Sequence, residues 1–236
     1  MTAVPTLPTR AAGAPWSTPS TARTTGAFYL GLAITGALGF LLVRPMLVDA
    51  DPATTMANLQ QHEALARTAV ALEMAVVVFQ ALAALWFFRL FRSVDELAAA
   101  AIAVFGVVNS VAILGSAACL ATALEAALGG AGGDPGTPQL MYELSEHFWG
   151  VGNLFFGLWL VPMGVCVLRS GTMPRLLGRL LVVGGAGYVL SGFTTYLLPD
   201  ATLVSGLLVV PATIGEVWMV GYLIVRGTGR RAPSPV

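Results

Sequence analysis

Six apolar runs, at about residues 25–43, 68–88, 97–124, 148–168, 180–198 and 203–225, constrain this chain more than any motif it carries. Each approaches the roughly 20 residues that a helix needs to cross a hydrocarbon core. Lipid offers no water to backbone N–H and C=O groups, so an open chain crosses it as helices. The sequence therefore predicts an all-α fold, a polytopic membrane bundle of six transmembrane helices over residues 23–227. Residues 1–22 are rich in Thr, Pro and Ala without an apolar period and read as a disordered cytoplasmic tail; residues 228–236 read as a second, short one.

Orientation comes from the arginines. With the N-terminus inside, Arg10, Arg23, Arg89, Arg92, Arg169, Arg175, Arg179, Arg226, Arg230 and Arg231 fall on the inner side, and only Arg44 and Arg67 fall outside. This bias in short loops predicts that both termini are cytoplasmic. The sequence VDA at 48–50 has the form of a signal-peptidase site, but the preceding apolar run of nineteen residues exceeds a signal-peptide core, and retention of the first helix is expected. The 10% content of charged residues and zero net charge give no basis for a nucleic-acid partner and point to the lipid bilayer instead. Cys119 and Cys166 both lie inside apolar runs, where a buried thiol is the ordinary reading.

Helix ends are marked locally. Ser93 and Glu96 have capping-box spacing and predict the start of the third spanning helix, and Gly129-Gly130 predicts its stop. Thr137-Pro138 predicts a long fourth helix reaching Arg169, and Asp51-Pro52 predicts a short interfacial helix over 53–65.

The informative residues are the polar ones inside. Counting from the cytoplasmic ends of the helices at about 1.5 Å per residue puts Glu216 roughly 15 Å deep, Gln80 about 14 Å and Asn109 about 18 Å. The same count places Glu73 and Asn153 near 24 Å. Glu73 and Gln80 are seven residues apart and share one helix face. A carboxyl at mid-membrane faces the bundle interior. Glu216 is expected there as a neutral acid hydrogen bonded to Gln80 or Asn109. Pro162 and Pro211 each remove one backbone hydrogen bond from a spanning helix, which opens space but equally suits packing. GVVNS at 106–110 and GYVLS at 187–191 have small-residue spacing suited to helix contacts, within the chain or in an oligomer.

A second constellation sits at the outer boundary. Glu143 and His147 are four residues apart and share a face, and His62 could complete a divalent-metal site, although no recognised cage motif is present. Both histidines of the chain lie on this rim, so nucleophilic catalysis has little to work with, and no cofactor is expected.

The stretch GLWLVPMGVCVLRSGTMPRLLGRLLVVGGAGYVL at 157–190 resembles the bacterial membrane family called domain of unknown function 4386. The positions that carry the resemblance are Gly157, Trp159, Pro162, Gly164, Arg169, Ser170, Gly171, Pro174, Leu177, Gly178, Gly187 and Tyr188. TGAFYLGLAITGALGF, DPATTMANLQQHEALAR and IGEVW extend it. The resemblance implies a multi-spanning helical protein of a bacterial plasma membrane, with Glu216 inside a family pattern, and implies no catalytic residue.

Together these readings predict an interior polar cavity formed by Glu216, Glu73, Gln80, Asn109 and Asn153, through which a small molecule or a proton is bound or moved. The alternative is a structural or partner-binding protein whose polar stripe is a dry interhelical network. A membrane-embedded hydrolase ranks third.

Overall fold

The computed structural model describes residues 19–129 and 133–227. Among the described residues six helical spans are long and apolar enough to cross a membrane. The first, Pro19–Leu47, is compound: α1 (Pro19–Ala37) leads through a π-helical segment (Leu38–Val43) into α2 (Arg44–Leu47). After the short α3 (Pro52–Gln61) come α4 (Glu63–Phe91), α5 (Glu96–Ala127), α6 (Gly136–Ser170), α7 (Arg175–Leu197) and α8 (Thr202–Val225). Consecutive spanning helices pack on one another, and α1 packs on both α4 and α8, so the six form a closed ring. Leu41, Val111, Val183 and Leu207 are among the large apolar side chains left exposed on the ring's outside, as lipid contact requires.

Gly227, which follows α8, lies beside Pro19 and Ala22 at the start of α1, so both ends of the described chain share one face of the bundle. The opposite face carries α3. Asp51 caps α3 as expected, accepting from Thr54 N at 3.0 Å and Thr54 Oγ1 at 2.7 Å. These bonds, the Thr54 hydroxyl first, hold the Asp51 carboxyl below its ordinary value. Leu59 then packs with Val43, Leu47, Ala66, Ala69, Leu124 and Ala127, and Gln60 Nε2 donates to Ala127 O at 2.7 Å, which satisfies a carbonyl at the end of α5.

Several expected boundaries move. Helix α1 begins at Pro19, so residues 19–22 of the expected tail are helical, while its remainder, the 228–236 tail, Arg10, Arg230, Arg231 and Gly130 lie outside the described residues. The interfacial helix ends at Gln61, and α4 starts at Glu63, five residues before the apolar run. Asp95, not Ser93, is the N-cap of α5 and accepts from Ala98 N at 3.0 Å. Asp95 gains a second partner in Arg169, which pairs with it across the termini face; the Ala98 N–H first, then Arg169, hold its carboxyl below the ordinary value. Gly129, at φ 95°, stops α5 as expected. Helix α6 starts at Gly136, slightly ahead of Thr137-Pro138, and runs to Ser170 with Pro162 inside it.

The resemblance motif has a packing reason. A Cβ on Gly157 would meet Gly185 O at 2.6 Å, and one on Gly164 would meet Gly178 O at 2.6 Å. Both glycine pairs are seven residues apart on their helices, so α6 and α7 touch backbone to backbone at two successive levels. Gly171, at φ 65°, ends α6 and makes the turn between the two helices.

Candidate functional site

All six spanning helices line one cavity of about 480 Å³, which contains Glu216. Its wall is mainly apolar and aromatic: Leu32 and Ala33 from α1, Val76 from α4, Ile113 from α5, Trp149 and Phe156 from α6, Tyr188 from α7. Glu216 reaches it from α8, partly exposed, together with Thr213, Val217 and Val220. Tyr29, itself buried on α1, donates its hydroxyl proton to Glu216 Oε1. The carboxyl thus faces the interior as expected, but its partner is this phenol rather than Gln80 or Asn109.

The cavity is closed at two ends and open at one side. Toward the termini face, Tyr29, Phe87 and Trp159 form an edge-on aromatic plug with ring centroids 5.3 to 5.7 Å apart. Toward the α3 face, Trp149 turns its Nε1–H to Glu73 Oε1 at 3.1 Å and seals the cavity against the cluster behind it. Sideways, α1 and α8 touch near the termini, where Gly26 meets Leu223 and Ile224. Farther along, the exposed residues Leu30, Ala33 and Ala37 of α1 and Thr213 and Val217 of α8 all line the cavity. Its mouth therefore lies between these two helices, on the lipid-facing side of the ring.

Behind Trp149 lies the polar centre that the sequence concealed. Arg44, 3% exposed, pairs with the buried Glu73. Arg44 Nη2 also donates to Ser145 Oγ at 2.7 Å and Ser116 Oγ at 3.0 Å, and the two serines share a 2.8 Å hydrogen bond. The guanidinium carbon stands over the rings of Phe40 and Tyr142, 5.2 and 5.4 Å from their centroids. Arg44 is accordingly not a loop residue of the outer side, and Glu73 belongs to an ion pair linking the first span to α4, α5 and α6 rather than to the cavity. A hollow of about 440 Å³ on the α3 face reaches Arg44 from outside, past Asp49, Glu143 and Glu146.

Gln80 and Asn109 are buried as expected, yet neither lines the cavity. Val76, one turn from Gln80, and Ile113, one turn from Asn109, take those places. Among the described residues Gln80 Oε1 and Nε2, Asn109 Nδ2 and Trp159 Nε1 have no hydrogen-bond partner. Asn153 is half-buried and lines neither the cavity nor the Arg44 cluster. The outer metal constellation does not assemble: Glu143 lines the hollow above Arg44, His62 lines a different one with Gln60 and Arg67, and His147 Nδ1 lies 3.3 Å from Tyr196 Oη. Among the described residues no three His, Cys, Asp or Glu side chains are placed to hold a metal ion.

Tyr29, Tyr188, Trp149, Arg44, Ser116 and Ser145 are the site residues that sequence reasoning missed. In the sequence Tyr188 belongs to the resemblance motif and to the small-residue stretch 187–191, and Tyr29 to the FYLG within the stretch that extends the resemblance. Aromatics and serines are so common in membrane helices that nothing in the sequence distinguishes the inward ones. No curated protein and no solved structure matches the chain. The family model for a domain of unknown function, DUF4386, matches residues 24–227, nearly the whole described bundle, and this multi-pass membrane protein belongs to that family.

Proposed function

We propose that the chain binds a small amphipathic molecule drawn from the bilayer, holding its polar group at Glu216 and Tyr29. The observation that carries this reading is the side mouth of the Glu216 cavity. A volume of about 480 Å³ lies within the usual range for small-molecule sites, and an apolar wall with one or two placed polar groups is their usual composition. Both ends are plugged, so access runs through lipid, and a continuous aqueous pore is not part of the proposal. The arginine distribution supports cytoplasmic termini, with the buried Arg44 counting toward neither side, and the family resemblance supports a bacterial plasma membrane. The Arg44 cluster supports a structural role for that centre alone, as a clasp joining four helical elements.

The test is photolabelling in reconstituted vesicles with a small apolar aryl diazirine, read by peptide mapping. Label concentrated on Tyr29, Tyr188 and Glu216, and lost when Ala33→Trp fills the mouth, is the expected result. Label spread only over outer-surface residues such as Leu203 and Leu207 overturns the reading.

A further inference from the structure

The two acidic side chains held within the bundle have unequal company. Glu73 has a built-in counter-charge in Arg44 and accepts a further hydrogen bond from Trp149 Nε1. Glu216 has a phenol, and among the described residues no ion pair includes it. A carboxylate without a cation is expensive in a low-dielectric interior, whereas a carboxylate paired with a hydrogen-bonding cation is tolerated. The wall around Glu216 adds the aromatic side chains of Tyr188, Phe156 and Trp149, and aromatic rings attract a positive charge. An ammonium placed at Glu216 would meet a hydrogen-bonding carboxyl and aromatic side chains together.

Resting on the binding function proposed above, we propose that the ligand is a lipophilic amine whose nitrogen supplies that charge. The amine crosses the hydrocarbon in its neutral form and enters between α1 and α8. At Glu216 the carboxyl O–H bond breaks and an N–H bond forms on the amine, leaving an ammonium–carboxylate pair with no change in total charge. Tyr29 keeps its hydrogen bond to the carboxylate, and the apolar remainder of the ligand lies against Leu32, Val76 and Ile113. No further reactant is required. Anions and neutral amphiphiles of the same size lack the contact that distinguishes this site from lipid.

The experiment uses the full chain in lipid nanodiscs and measures protection from the diazirine label by N,N-dimethyl-4-phenylbutylamine, by its uncharged carbon isostere and by 4-phenylbutanoate. The amine is expected to protect at a concentration roughly tenfold or more below its isostere, the margin of a charge-assisted hydrogen bond over an apolar contact. In Glu216→Gln that ratio falls to about one on the same physical grounds. Glu216→Asp, which keeps a carboxyl, retains a preference for the amine and provides the second variant if Glu216→Gln proves unstable; equal protection by amine and isostere in a folded Glu216→Asp overturns the assignment. Equal protection by amine and isostere in the wild type overturns the amine assignment while leaving the cavity reading intact. Absence of cavity labelling in the wild type overturns both.

Discussion

Tyr29 and Glu216, 187 positions apart in the sequence, join the first and last spanning helices of the ring through one side-chain hydrogen bond. The contact sits where α1 and α8 begin to diverge, between their close approach at Gly26 and the cavity mouth. Tyr29→Phe should therefore loosen the ring without removing apolar surface. Hydrogen bonds between membrane helices contribute about 0.6 kcal/mol on average and up to about 1.7, and the loss should fall in that range. Denaturant unfolding in mixed micelles of wild type and variant measures it; no measurable loss would mean that Tyr29 acts only through its ring packing against Phe87 and Trp159, which Phe retains.

Arg44 and Glu73 should show strong coupling. Removing either partner leaves the other buried and unpaired, at a cost of about 3–5 kcal/mol. Arg44→Met combined with Glu73→Gln removes both charges and should cost much less than the sum of the single losses. A double-mutant cycle on unfolding free energies tests this; additive losses would show that the pair is not energetically linked.

The glycine seam makes a paired prediction. Gly164→Ala pushes a methyl group to within 2.6 Å of Gly178 O, where backbone must give way, and should destabilise by about 1–3 kcal/mol. Gly192→Ala, on α7 with nothing within 4 Å of the added atom, should be neutral or stabilising by about 0.5–1 kcal/mol through helix propensity. Thermal unfolding of the two variants side by side decides it, and equal losses would count against the seam.

Asp95 gives a pH dependence of known sign. Its folded-state value lies below the ordinary 3.8, first because it accepts from Ala98 N and then because Arg169 stands beside it. The folded protein thus holds this proton less tightly than the unfolded chain, and the stabilisation is complete above the ordinary value and lost as pH falls through the lower, folded one. Unfolding measured against pH should show a smaller acid-induced loss in Asp95→Asn than in wild type. Identical acid limbs would refute the assignment.

The spans were legible because lipid imposes a simple demand, about twenty apolar residues without breaks. Asp51 was legible as a cap because its role is decided by Pro52 and Thr54 beside it, and Glu73 with Gln80 because seven residues make nearly two turns. Arg44 was not legible, for a reason of winding. In an unbroken α-helix Arg44, twelve residues beyond the buried Leu32, would stand about 120° away from it. The π-helical segment at Leu38–Val43 takes up about one extra residue, so Arg44 falls near the position of an eleventh residue, close to three full turns, on the face of Leu32. Asp95 displaced Ser93 as cap because it also meets Arg169 from another helix, a tertiary contact that no local motif announces. Glu216 was placed inward correctly, but the choice between Gln80, Asn109 and Tyr29 depends on helix rotation, which depth counting does not supply.

Where α6 meets α7 at Gly157–Gly185 and Gly164–Gly178, backbone lies against backbone, with Val161, Leu168 and Val182 packed beside the contact. A backbone has no alternative rotamers with which to absorb a displacement. The two helices and the Gly171 turn should consequently behave as a single stiff strut, one that transmits force and does not stretch. Any breathing that admits a guest belongs to another seam of the ring, where α1 and α8 are pinned near one end and can splay like the arms of tweezers.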